Sequence, residues 1–144
     1  SIRHIDVNVA GMVAIGLQWQ GDMAQVPALV ATHRRGAALR LLDAGFDLHR
    51  DIQGYVGSIA FDRSGGAIAA TCPRGGKVMV FDAGSGALSH AISGEDACGV
   101  ARGLHGLVVT SGTGAVSRLF PDAAEPMQRS QTHALSFDNH LVRL

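Results

Sequence analysis

A cassette of short apolar strands, separated by turns rich in glycine and aspartate, recurs along this chain. Its clearest copy spans residues 57–86 and reads GSIAFDRSGGAIAATCPRGGKVMVFDAGSG. The matching first-strand positions Ile5, Ile59 and Val100 lie roughly 40 to 55 residues apart, close to the repeat of about 40–50 residues that is typical of propeller blades. Self-similarity at this spacing predicts a repeat fold, in which one unit does not bury its own faces and must pack against its neighbours.

The strand pattern predicts an all-β fold, a partial β-propeller of about three four-stranded antiparallel blades. The apolar runs at residues 67–70 and 78–81 are continuous rather than alternating, which indicates strands buried on both faces. The 19 glycines suit many tight turns. We expect a single domain over residues 1–144, with blades at approximately 1–49, 50–95 and 96–126 and a closing strand at approximately 133–144.

The number of blades carries an expectation about partners. Closed propellers contain about 4–8 blades, so three blades would leave two open apolar flanks. We therefore expect either a homo-oligomer or further blades that belong before residue 1.

The charges of the 12 basic and 12 acidic residues cancel and are scattered along the chain, which argues against nucleic-acid binding. No apolar run approaches the roughly 20 residues of a membrane span, so we expect no membrane insertion.

The face that collects the loops before the first strands and between the second and third strands is the predicted binding face. Arg3 beside His4 suits a carboxylate or phosphate, Trp19 suits stacking on a flat ligand, and Arg74 in a Pro-Arg-Gly-Gly turn suits an anion. Each also has a purely structural interpretation, as a backbone-bonded histidine, a packed tryptophan and a solvated turn arginine. The predicted ligand-binding residues are Arg3, His4, Gln18, Trp19, Gln20, Asp22, Tyr55, Ser58, Arg74 and Cys98; Cys72, Thr110 and Ser111 share the predicted face.

Metal and thiol chemistry have weaker signals. The seven histidines show no i, i+2 or i, i+4 pair, whereas zinc sites usually have closely spaced ligands. We expect no cofactor. One metal hypothesis remains, in which His4 and His140 from different parts of the propeller ring form a site together. For Cys72 and Cys98 three interpretations stay open: small apolar side chains, a disulfide, or a reactive or metal-binding thiol.

Eight short motifs occur in an order that resembles the C-terminal part of a bacterial family of propeller-like proteins, domain of unknown function 1513. They are residues 1–4 (SIRH), 18–22 (QWQGD), 55–58 (YVGS), 62–65 (DRSG), 73–76 (PRGG), 98–101 (CGVA), 110–112 (TSG) and 137–140 (FDNH). The resemblance implies a seven-bladed propeller of roughly 350 residues that is periplasmic or otherwise exported and is associated with iron-uptake and imelysin-type genes. It also implies that this chain corresponds to about the last three blades.

Two functions follow as hypotheses. The first is a non-catalytic propeller module that binds a small ligand or a protein partner, in an exported system associated with iron uptake. The alternative is a propeller hydrolase or lactonase-like enzyme with a metal in the central channel. The setting in iron uptake rests on the resemblance alone.

Overall fold

The computed structural model describes residues 1–141 and confirms the predicted fold class. It contains three four-stranded antiparallel sheets, and in each sheet the strands follow one another in sequence order. The strands of blade 1 are β1 (Ile2–Val7), β2 (Val13–Leu17), β3 (Val30–His33) and β4 (Arg40–Leu42); those of blade 2 are β5 (Ser58–Phe61), β6 (Ala67–Cys72), β7 (Lys77–Asp82) and β8 (Leu88–Ser93); those of blade 3 are β9 (Ala97–Arg102), β10 (Leu107–Ser111), β11 (Ala115–Leu119) and β12 (Met127–Thr132).

Aspartate organises the tight turns of blade 2. Asp62 accepts hydrogen bonds from the Ser64 hydroxyl at 2.6 Å and from the Ala67 backbone N–H at 2.9 Å. Gly65 in the same turn has φ +74°, a left-handed conformation that strongly favours glycine. These bonds stabilise the turn between β5 and β6, as aspartate side chains commonly do in turns.

Blade 2 is buried on both of its faces, as its continuous apolar runs predict. Ile59, Phe61, Ile68, Met79 and Phe81 pack towards blade 1. The residues between them along the same strands pack towards blade 3: Ala60, Ala69, Val78 and Val80 join Val100, Leu107, Val109 and Leu119. Full burial of a large apolar side chain stabilises a fold by about 1.5–3 kcal/mol, so these two interfaces fix how the blades are arranged.

Four features differ from what the sequence predicted. The predicted third blade ended at residue 126, but its fourth strand is β12, which pairs with β11. A closing strand was predicted at 133–144, but residues 133–141 form no strand. Residues 142–144 lie outside the described residues. A short helix, α1 (Phe46–Asp51), was not predicted. Both cysteines are free and buried, so the disulfide interpretation was wrong.

Blade 1 turns an apolar face away from blade 2. Ile5, Val7 and Leu41 are 52%, 46% and 51% exposed, and Ile5 pairs with Ile15 in the sheet. Self-association through such a flank stays a prediction. Among residues 1–141, no helix has both the length and the apolar character needed to cross a membrane.

Candidate functional site

Arg3 and His4 are brought to one side by an irregularity in β1. The pairing of β1 with β2 shifts between Ile2 and His4, so that Arg3 is an extra residue opposite Leu17 and Gly16. A bulge of this kind changes the direction of a side chain and often lies beside functional sites. As a result, both side chains reach blade 2, Arg3 at Tyr55 and His4 at Ser58.

Tyr55 is the centre of the site. This residue precedes β5 in the sequence and is only 7% exposed. Its backbone forms an isolated β-bridge with Gln18 of blade 1. Its hydroxyl lies 3.2 Å from an Arg3 guanidinium nitrogen and 2.8 Å from the Asn139 amide nitrogen. The buried ring therefore gives a rigid platform, and its polar end anchors two other side chains.

Both guanidinium groups lie near the same aromatic ring. The Arg74 guanidinium carbon lies 4.5 Å from the Tyr55 ring centroid, and that of Arg3 lies 5.3 Å from it. Both distances are within the range of cation–π attraction. We call Arg3, His4, Tyr55, Arg74 and Asn139 together the Tyr55 site.

His4 presents a defined donor. The Ile59 backbone N–H donates to His4 Nδ1 at 3.2 Å, and the Ser58 hydroxyl lies 2.8 Å from the same nitrogen. Because a backbone N–H can only donate, Nδ1 carries a lone pair, and the neutral ring then bears its proton on Nε2. Burial lowers the pKa of His4, helped by the nearby His140 ring and opposed by Asp6. His4 is therefore held as a neutral Nε2–H donor.

The same geometry bears on the metal hypothesis. The His4 and His140 ring centroids lie 6.1 Å apart, so the fold brings the two predicted residues together. Metal-bound histidines usually donate their second N–H to an oxygen, whereas the second nitrogen of His4 accepts from Ile59. Within residues 1–141 no group of three or more His, Cys, Asp or Glu side chains is placed to hold a metal. Metal binding by His4 and His140 stays a prediction.

Residues 133–141 lie across the starts of the inner strands and contribute Asn139. The segment begins with a backbone bond from His133 to Gly114, and the Ser136 hydroxyl donates to Gly112. It then passes over two glycines: a Cβ on Gly57 would lie 3.0 Å from the Asn139 side-chain oxygen, and one on Gly99 would lie 2.9 Å from Leu141. These two glycines leave the room that brings Asn139 to the Tyr55 hydroxyl, a contact that was not predicted from the sequence.

The other predicted site residues have different surroundings. Trp19 donates through its indole N–H to the Asp22 carbonyl at 2.9 Å, and Asp22 caps the short helical turn Met23–Gln25. Gln20 is exposed beside them. Cys98 lies on β9 with its sulfur 3.0 Å from the Asp96 carbonyl, and burial, with Asp96, raises its pKa to about 11.

The ion pairs of residues 1–141 do not involve the arginines of the Tyr55 site. In the part of the chain that the structure describes, the ion pairs are His49 with Asp43 and Arg102 with Asp6, and neither includes Arg3 or Arg74. A cavity of about 540 Å³ between the inner strands has His4, Ile59 and Val100 among its walls, so the Tyr55 site meets it through His4. The site therefore offers donors and positive charge, with its histidine at this cavity.

Three sheets whose first strands β1, β5 and β9 contact one another in turn define this chain as a β-propeller of at least three blades. Solved structures agree. The chain aligns with a protein chain of "Crystal Structure of Mitotic Checkpoint Complex" at 17% identity and TM-score 0.71, covering 94% of this chain and 39% of that chain. It aligns with "Crystal structure of RRP9 WD40 repeats" at 16% identity and TM-score 0.68, covering 94% of this chain and 40% of that chain. The chain thus spans about two fifths of these neighbours.

The sequence also matches one family model, described as "Protein of unknown function (DUF1513)", over residues 1–144. The chain belongs to this family, which confirms the resemblance drawn from its motifs. None of the curated proteins matches it.

Proposed function

We propose that this chain is a non-catalytic binding module of the β-propeller class. The Tyr55 site takes a small ligand, or an equivalent chemical group on a protein partner. The buried Tyr55 ring supplies a platform, and Arg3, Arg74, Asn139 and the His4 Nε2–H supply donors around it.

One observation carries this proposal. Three polar side chains from three separate parts of the chain, Arg3 of β1, Arg74 of the loop after β6 and Asn139 of residues 133–141, converge on one buried tyrosine. A fold does not need two arginines at one ring for its stability, since exposed cation–π contacts contribute only about 0.5–1 kcal/mol. Convergent polar groups are the usual arrangement of a binding site, and His4 of this site lines the cavity between the inner strands.

Nuclear magnetic resonance titration tests the proposal. The isotope-labelled chain is titrated with a panel of neutral sugars, amino acids, dicarboxylates and phosphates. We expect at least one compound class to shift the resonances of Tyr55, Asn139 and the arginine side chains. Tyr55→Phe removes the hydroxyl that anchors Arg3 and Asn139, so it should weaken that binding. Compounds that bind only elsewhere, or bind equally well to Tyr55→Phe, would count against the site.

The proposal extends to an exported, periplasmic location in an iron-uptake setting. Its support is membership of the family whose motifs the chain carries. Fractionation of a bacterium that produces the full-length gene product tests it. We expect the protein in the periplasmic fraction, and more of it under iron limitation; a cytoplasmic protein with an unchanged level would contradict this part.

A further inference from the structure

We infer that the group bound at the Tyr55 site is an oxyanion, a carboxylate or a phosphate, held between the guanidinium groups of Arg3 and Arg74. This inference rests on the proposed function and narrows it to one class of ligand.

The first step is the proximity of two like charges. The distances of 5.3 and 4.5 Å to a shared ring place the guanidinium carbons no more than about 10 Å apart, where two positive charges repel each other. Neither has a carboxylate within ion-pair distance among residues 1–141. An oxyanion between them would remove the repulsion and accept hydrogen bonds from both planar forks.

The second step concerns how the arginines are held. Tyr55 is buried and its hydroxyl is bonded to Arg3. The Arg74 backbone belongs to a turn, Pro73–Gly75, that packs closely against α1, since a Cβ on Gly75 would lie 2.4 Å from the Asp51 carbonyl oxygen. Both guanidinium groups are thereby positioned before a ligand arrives, so less side-chain freedom is lost on binding.

The third step is the character of the neighbouring donors. His4 holds its proton on Nε2, because Nδ1 accepts from Ile59, and Asn139 brings an amide nitrogen to the Tyr55 hydroxyl. The groups that lie at Tyr55 itself, two guanidinium forks and the Asn139 amide nitrogen, are donors, which suits the several lone pairs of an oxyanion. A cation would face two arginines and a blocked imidazole nitrogen.

The experiment uses inorganic phosphate and succinate as probes, with glycerol as a neutral comparison, in calorimetric and nuclear magnetic resonance titrations. We expect phosphate or succinate to shift the Arg3, Tyr55 and Arg74 resonances, and affinity to fall as salt rises. Arg3→Gln and Arg74→Gln should each weaken binding by about tenfold, the loss of one charge-assisted hydrogen bond. Arg35→Gln, the same change of charge at an exposed turn on blade 1, is the matched control and should have no effect.

The outcomes separate the two claims. Binding of phosphate alone, or of succinate alone, identifies the source of the oxyanion within the inference. Binding of neutral compounds at the Tyr55 site without a response to either anion overturns the inference and leaves the proposed function standing. Equal losses in Arg3→Gln, Arg74→Gln and Arg35→Gln would also overturn it, because only the general charge of the protein would then matter. No response at the site to any compound defeats both.

Discussion

The contact between the loop after β6 and helix α1 predicts a large effect for Gly75→Ala. A Cβ at Gly75 would lie 2.4 Å from both the Asp51 carbonyl oxygen and the Ile52 Cα. Ordinary contacts begin at 3.4 Å, so one of the two backbones must move by about 1 Å. Overpacking of this kind costs about 1–3 kcal/mol, and we expect the upper part of that range because backbone atoms, rather than a flexible side chain, are in the way.

For a chain of this size, 3 kcal/mol corresponds to a fall in Tm of roughly 6–12 °C. Gly84→Ala is the matched control, because its Cβ would have only an ordinary contact of 3.5 Å with Asp82. Thermal unfolding followed by circular dichroism measures both variants. Gly75→Ala should also shift the Tyr55 ring resonances, since its loop carries Arg74. Equal Tm values for the two variants would refute the reasoning.

Three further predictions follow from buried polar groups and thiols. Ser58→Ala should lower the free energy of unfolding by about 1–3 kcal/mol in urea titrations, because its hydroxyl bonds His4 and the Val100 N–H; the exposed Ser89→Ala should leave that free energy unchanged. The lowered pKa of His4 means that the unfolded chain binds this proton more tightly, so stability should be full above about pH 6.5 and decline as the pH falls below it. His4→Asn should flatten that decline, and an equally steep decline would contradict it. Burial raises the pKa of Cys72 to about 12, and burial together with Asp96 raises that of Cys98 to about 11. Iodoacetamide at pH 7.5 should therefore label both thiols only after the protein unfolds, which mass spectrometry measures. Rapid labelling of the folded protein would contradict this prediction.

Blade 2 shows what sequence patterns predict well. The apolar runs at residues 67–70 and 78–81 lie wholly within β6 and β7, so the positions of those strands were visible in the sequence. Strand β12 (Met127–Thr132) shows the opposite. Its residues after Met127 are polar and exposed, because it is an edge strand of blade 3, and its pairing with β11 depends on backbone bonds that hydrophobicity does not report. Helix α1 was missed because it has six residues and no side-chain cap at Gly45.

Part of the candidate site could be predicted from the repeat of the blade cassette. The starts of the first strands hold four of its residues, and the loop between the second and third strands of blade 2 holds Arg74. The repeat brings these two places to one face of a propeller, so the expected common face follows from it. The four residues are Arg3, His4, Tyr55 and Ser58. The bulge at Arg3 and the position of Asn139 depend on tertiary contacts over long separations in sequence. Trp19 and Asp22 share the predicted face, yet local hydrogen bonds within one turn already satisfy them.

The geometry of the site depends on how the inner strands are held together. β1, β5 and β9 belong to three different sheets, so no backbone ladder fixes their relative positions. Side chains do so at two levels: Ser58 bonds His4 on β1 and Val100 on β9, while Asp6 accepts from the Phe61 N–H at 2.8 Å and from Arg102 at 3.3 Å. Loss of either connection should let β1 shift against β5. Because Arg3 lies on β1 and Tyr55 just before β5, such a shift would change the site even though no residue in it had been replaced.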